Sequence, residues 1–186
     1  MKNESTIDQF ATHLPFVAAA VMRAAIARPF PEQMFVIECG SGEYSTPLLH
    51  AMVTGIGGRV LTLDNNAEWL ERFEGLCGNG HEMRLIDDWA SVPELDQPCD
   101  IALVDHEPQS ERLATIRRLA PVAGVVICHD AQLHTAVGFD SAVKDFSSVA
   151  YCRRWETWTA IGSNKIGVQG IGPLLQEPWE GLEITP

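Results

Sequence analysis

Positive charge is scarce in this sequence. Among 186 residues there are 13 Lys and Arg against 25 Asp and Glu, giving a net charge of −12 and a pI near 4.8. With no local basic patch either, that balance excludes broad attraction to nucleic acid phosphates or to an anionic membrane surface. Cysteine is sparse and odd in number: Cys39, Cys77, Cys99, Cys128 and Cys152 are scattered, mostly in apolar runs, without a CxxC pair. This excludes a disulfide framework and a zinc-type cysteine cluster, and points to reduced thiols in the cytoplasm. Long hydrophobic runs are missing too. The longest, "PFVAAAVMRAAIA", is broken by Arg23, and the opening "MKNESTIDQF" has no basic region leading into an apolar one, so neither a membrane span nor a signal peptide is expected. Internal repeats, low-complexity segments and Gly/Ser linkers are likewise absent from the sequence. The length suits one domain over 1–186, with a helical segment in 1–30 and an extended or irregular tail over 170–186.

What is present alternates between two periodicities. "THLPFVAAAVMRAAIARPFPEQ" predicts a helix capped by Thr12, with Pro15 in its first turn and a stop before Pro29. Strands are predicted at "MFVIE", "RVLTLD", "HEMRLI", "CDIALVD" and "AGVVICHD". Helices are predicted at "STPLLHAMVTGIGG", "NAEWLERFEGLCGNG", "SERLATIRRLAP" and "DSAVKDFSS". Strand and helix repeated in this way imply a parallel sheet covered on both faces, because parallel strands need crossover connections. Then "VAYCRRWET" and "WTAIGSNKIGVQGI" follow each other closely and predict an antiparallel hairpin.

Ligands of an open α/β sheet bind beyond the C-terminal ends of its strands, where the strand order reverses. Every predicted strand end here carries an acid. They are Glu38 with the loop Gly40 to Thr46, Asp64 with Asn65, Asp87 and Asp88 with Trp89, Asp105 with His106, and His129 with Asp130. Any one of these acids could simply cap the following helix; five in register suggest a binding edge. The glycines let backbone approach a ligand, and a helix starting near Ser45 offers unpaired N–H groups. A dinucleotide fingerprint would place a third glycine where Ser45 stands, so the match to an NAD-binding oxidoreductase is partial.

The series "VIECGSGEYST", "LTLDNN", "RLIDDW", "CDIALVDH" and "GVVICHDA", closed by the hairpin, resembles the class I S-adenosylmethionine-dependent methyltransferases over about residues 30 to 168. Within them it looks most like the small O-methyltransferases related to catechol methyltransferase. The resemblance implies a Rossmann-like, doubly wound, mostly parallel seven-stranded sheet with an antiparallel C-terminal hairpin. It implies S-adenosylmethionine as cofactor and a small-molecule acceptor, methylated on oxygen. Carried over residue by residue, Gly40, Ser41 and Gly42 line the methionine end and Glu38 steadies that loop. Asp64 accepts both ribose hydroxyls, Asn65 lies beside the adenine, and Asp88 meets the adenine amino group with Trp89 in contact or in the core. Asp105 borders the cofactor at its methyl-bearing end, where His106, His129 and Asp130, together with Asp105, are the candidates to take a proton from the acceptor or to orient it. His13, His50, His81 and His134 are read as lying away from this edge.

Catechol-type relatives hold magnesium with an acid after strand four and an acid-amide pair after strand five. Here Asp105 matches the first, but His129 and Asp130 replace the pair, so a divalent metal is not favoured and no metal ligand is assigned. The compact chain lacks the added helices that build an acceptor pocket in such enzymes. It leaves three options: an open acceptor site, one closed by a homodimer partner, or a catalytically silent cofactor-binding protein.

Overall fold

The computed structural model describes residues 9–132, 138–153, 156–168, 171 and 182–185. Eight strands form one sheet: β1 (Phe35–Cys39), β2 (Arg59–Asp64), β3 (His81–Leu85), β4 (Cys99–Val104), β5 (Ala123–His129), β6 (Ser148–Cys152), β7 (Thr159–Ser163) and β8 (Leu182–Thr185). Their order across the sheet is β3-β2-β1-β4-β5-β7-β6-β8. β3, β2, β1, β4 and β5 pair in parallel, β7 joins β5 and β6 antiparallel, and β8 joins β6 antiparallel. The expected frame is there, and the tail adds a strand to it at Leu182–Thr185, where an extended or irregular segment was anticipated.

The helices are α1 (Leu14–Ala27), α2 (Ser45–Leu49), α3 (Ala67–Glu71) and α4 (Gln109–Leu119). α2 runs on into a π-helical turn at His50–Thr54. "DSAVKDFSS" forms two separate 3₁₀ turns, Phe139–Ser141 and Val143–Asp145, not the helix its composition suggested. Thr12 does not cap α1. The N-cap is His13, without a side-chain bond, while the Thr12 hydroxyl reaches His129 and Thr157.

Strand alternation divides the core in two. Ile37, Cys39, Leu61, Leu63, Ala102 and Val104 face Trp89, Ile116 and Leu119 on the α4 side. Val36, Val60, Ile101 and Leu103 face Phe16, Val17 and Leu49 on the α1 and α2 side. Both faces are covered, which is why β1, β4 and β5 read as near-continuous apolar runs. Glu38 interrupts the second face two residues after Val36, opposite Thr62 in the β1–β2 register.

After β3 the chain crosses back over β1 to start β4, so the order reverses between β1 and β4. The two strand ends at that reversal are joined by the Asp105 amide, which donates to the Cys39 carbonyl at 2.8 Å, while the Gly40 amide ties the end of β1 to β2 at the Leu63 carbonyl, also at 2.8 Å.

Candidate active site

A cleft of about 450 Å³ opens above this reversal point, with the loop after β1 along one side and the ends of β4 and β5 along the other. Gly40 makes the turn possible. Its φ is +93°, and a Cβ there would lie 2.7 Å from the backbone of Asp105 and His106, so only glycine lets the loop fold onto the end of β4.

Asp64 organises the loop from the next strand. Its Oδ2 accepts the Ser41 amide at 2.7 Å and the Ser41 hydroxyl at 2.6 Å, and its Oδ1 accepts the Asn66 amide at 2.9 Å. The helix that follows is capped by Asn66, which accepts the Trp69 amide at 3.1 Å, so Asp64 is free of that duty. The carboxylate is 6 % exposed and lines the cleft, as does the exposed Asn65 beside it.

Glu38 holds the loop from below. Gly42 donates its amide to Thr46 Oγ1 at 2.9 Å; Thr46 in turn donates to Glu38 Oε2 at 2.9 Å, as does Thr62 at 2.7 Å. The side chain is fully buried, and its Oε1 makes no hydrogen bond of ordinary geometry. Burial pushes its pKa up to about 7, held back by the hydroxyls of Ser45, Thr62 and Thr46.

The opposite wall is ionic. Arg112 is 2 % exposed and reaches from α4 to the ends of two strands, donating to the carbonyls of His106 at 2.5 Å and His129 at 3.2 Å. It pairs with Asp105 Oδ1 at 3.1 Å and lies 3.9 Å from Asp130. Asp105 Oδ2 meets His129 Nδ1 at 3.2 Å, and His129 Nε2 meets Thr12 Oγ1 at 3.1 Å. Burial opposes charge on both partners, but their mutual bond and attraction outweigh it: the His129 pKa is raised and that of Asp105, helped by Arg112, lowered. Asp130, which also lines the cleft, has its pKa raised by burial and sits at φ +54°, a left-handed backbone unusual outside glycine.

Of the residues singled out from sequence, Gly40, Ser41, Gly42, Asp64, Asn65, Asp105, His106, His129 and Asp130 line this one cleft. Glu38 lies beneath it. Asp88 and Trp89 are not among its lining residues. Asp88 caps a 3₁₀ turn, accepting the Ala90 amide at 3.0 Å, while Trp89 is buried with its indole N–H on the Glu107 carbonyl at 2.9 Å. His106 stacks on Trp89 at 3.8 Å and bonds Thr115 at 2.9 Å, and burial drives its pKa down to about 3. It is a wall of the cleft with its ring nitrogens engaged. His134 and Trp155 lie outside the described residues.

Three of the lining residues that were not anticipated shape the site. His13, read as lying away from the edge, packs its ring 4.4 Å from that of His129. No sequence signal joins them, since α1 is brought to β5 only by the fold. Trp69 lies in the segment "NAEWLERFEGLCGNG" predicted as a helix; it is half-buried, and its indole N–H donates to the Ser41 carbonyl at 2.5 Å. Arg112 was legible in principle, because it shares the buried face of α4 with Thr115, Ile116 and Leu119, where a lone cation has to find an anion.

This sheet order and the reversal point above it define the Rossmann-like fold of the class I methyltransferases. Solved structures agree. A probable spermidine synthase from Corynebacterium glutamicum superposes with a TM-score of 0.64 at 12 % identity, over 93 % of this chain and 74 % of its own. An O-methyltransferase from Bacillus cereus, in complex with S-adenosylhomocysteine, gives 0.56 at 15 % identity over 87 % and 93 %. The O-methyltransferase TomG from Streptomyces achromogenes, in complex with S-adenosylmethionine, gives 0.55 at 16 % identity over 83 % and 87 %. At such identities the likeness is one of fold. No protein-family model matches the chain, and no curated protein matches it by sequence.

Proposed function

We propose that the chain is an S-adenosylmethionine-dependent methyltransferase acting on a hydroxyl of a small molecule. One observation carries this reading: the glycine turn after β1, tied by Ser41 to a buried carboxylate at the end of β2, opens onto the same cleft as the ionic corner of Asp105, His129 and Asp130. Cofactor bound in two of the structural neighbours adds support.

The residues fit the cofactor. Gly40 leaves a backbone surface that any Cβ would fill, and Asp64, whose loop bonds use three of a carboxylate's roughly four acceptor positions, keeps acceptor capacity on Oδ1 for one ribose hydroxyl. Asn65 and Trp69 would flank the base. Acids on both walls, Asp64, Asp105 and Asp130, suit a ligand carrying a sulfonium cation. When bound, S-adenosylmethionine supplies an activated methyl group. The chain's own part is alignment and proton removal. Gly42, Thr46 and Glu38 keep the loop rigid, Arg112 fixes Asp105, and an acceptor hydroxyl would give its proton to the corner held by His129 and Asp130. His106 and Trp89 would serve as a packed wall behind it.

Thermal melts with S-adenosylmethionine, S-adenosylhomocysteine and NAD test the cofactor. A ligand at about 100 times its dissociation constant adds roughly 2.7 kcal/mol of stability. A rise in midpoint with both sulfur ligands and none with NAD is expected; NAD alone raising it would refute the proposal. Methyl transfer to a panel of small hydroxyl acceptors then separates an enzyme from a silent binder.

A further inference from the structure

Three ligand-type side chains from three elements meet at the acceptor end of the cleft. His13 precedes α1, Asp105 follows β4 and His129 ends β5, with one donor atom of each within 4.8 Å of the others. His13 is 2 % exposed, and neither of its ring nitrogens has a hydrogen-bond partner. A buried imidazole with both nitrogens unused is costly, and native structures avoid it unless something else occupies the nitrogen. This ring lines the cleft against His129.

We propose that His13, Asp105 and His129 form a binding site for one divalent transition-metal ion of the zinc class, open to the cleft. Two ligands on one such ion, at bonds of about 2.0–2.1 Å, stand roughly 3.0–3.4 Å apart. Asp105 Oδ2 and His129 Nδ1 are already 3.2 Å apart. His13 closes the set by a shift of roughly 1.5 Å, and with unbonded nitrogens it breaks no hydrogen bond in moving.

The far sides of both fixed ligands are held as metal sites require. Arg112 bonds Asp105 Oδ1 and leaves Oδ2, while Thr12 bonds His129 Nε2 and leaves Nδ1. The donor set also decides which ion fits. Two imidazoles with one carboxylate suit zinc or its neighbours, and magnesium, which takes oxygen ligands, does not fit. Three protein ligands leave a position facing the cleft, the pattern of catalytic and not of structural zinc sites. With His129 engaged, Asp130 remains as the proton acceptor of the corner, which deepens the methyltransferase reading; ion binding itself is independent of the cofactor.

The test uses the full chain stripped with chelator, without S-adenosylmethionine, titrated by calorimetry with Zn²⁺, Co²⁺ and Mg²⁺, with Co²⁺ also followed by its visible absorption. One equivalent of Zn²⁺ or Co²⁺ and no saturable Mg²⁺ binding are expected. His13→Leu, which fills similar space without a nitrogen, should weaken Zn²⁺ binding by at least about 100-fold, whereas His50→Gln, on a histidine that bonds His81 instead, should leave it unchanged. Absence of saturable Zn²⁺ and Co²⁺ binding, equal binding of Mg²⁺, or full affinity in His13→Leu would each overturn the proposal. Should His13→Leu fail to fold, histidine ring NMR signals of the unaltered chain decide: two rings must shift on Zn²⁺ addition, and unmoved rings refute the site. Zinc binding without any melt shift from S-adenosylmethionine would leave the metal site standing and sink the cofactor reading alone.

Discussion

Gly40, Asp64 and Glu38 show how few atoms the loop depends on. Gly40→Ala has nowhere to put its methyl, with carbonyl and Cα backbone at 2.7 Å and φ at +93°. It should cost more than about 2 kcal/mol in denaturant unfolding and abolish any cofactor-induced melt shift; a wild-type midpoint would contradict the strain argument. Asp64→Ala frees Ser41 and removes the proposed ribose acceptor. Most of the S-adenosylmethionine melt shift should vanish, and an intact shift would refute the ribose role. Glu38 makes stability depend on pH. Its folded pKa, about 7, lies above the ordinary 4.5, so the folded state holds the proton more tightly. Its stabilising effect is then complete below pH 4.5, falls away as pH rises, and is lost above about 7. The span corresponds to roughly 3 kcal/mol. Glu38→Gln keeps an acceptor for Thr46 and Thr62 without the charge, so its unfolding free energy should lack this decline between pH 4.5 and 7. A wild-type slope in the variant would assign the pH dependence elsewhere.

Among the elements, α4 and the segment before α1 do most to build the ionic corner of the cleft. α4 reads as an ordinary amphipathic helix, yet its buried face carries Arg112 among Thr115, Ile116 and Leu119, and that guanidinium ties the ends of β4 and β5 together. Arg112→Leu removes the guanidinium from Asp105 and one donor from each of two carbonyls. A loss of about 3–5 kcal/mol in unfolding free energy is expected, with methyl transfer falling alongside; a loss under 1 kcal/mol would mean the pair is dispensable. α1 contributes through its N-terminal end, where Thr12 and His13 meet His129. The C-terminal hairpin does the same from the other flank: the Trp158 carbonyl accepts the Ala131 amide at 3.0 Å, fixing the chain just beyond Asp130.

At the scale of the molecule, one reversal of strand order creates the cleft, and the acids around it explain part of the charge of −12. No helix among the described residues is long and apolar enough to cross a membrane. Cys39, Cys99, Cys128 and Cys152 are buried and form no disulfide among the described residues, which agrees with their apolar settings in the sequence; burial raises the pKa values of Cys39, Cys99 and Cys128. Those three thiols should react slowly with thiol reagents in the folded chain and Cys77, which is exposed, first. Mass spectrometry after brief alkylation checks this, and prompt labelling of Cys128 would contradict the packing of β5.

The frame was legible because it rests on local periodicity. The strands announce themselves as short apolar runs, the glycine turn as a residue type that backbone geometry demands, and the acids as interruptions at strand ends. Side-chain duty was less readable where two local roles compete. Asp64 and Asp88 look alike in sequence, each an acid ahead of a helical turn, yet Asn66 takes the cap in one case and Asp88 itself in the other. Likewise Trp89 and His106 pair with each other inside the wall, a contact between two separate strand ends.

By itself, then, the sequence determined the order of β1 to β7 and of α1 to α4, the loop that must contain glycine, and the acidic edge, because each of these depends on neighbours a few residues away. Only the tertiary structure decided which polar groups share the cleft. His13 and His129 touch, with Thr12 bonded to His129 across a separation of 117 residues, because two elements pack on the same sheet. No pattern in either segment encodes that meeting; it follows from burying both against one core.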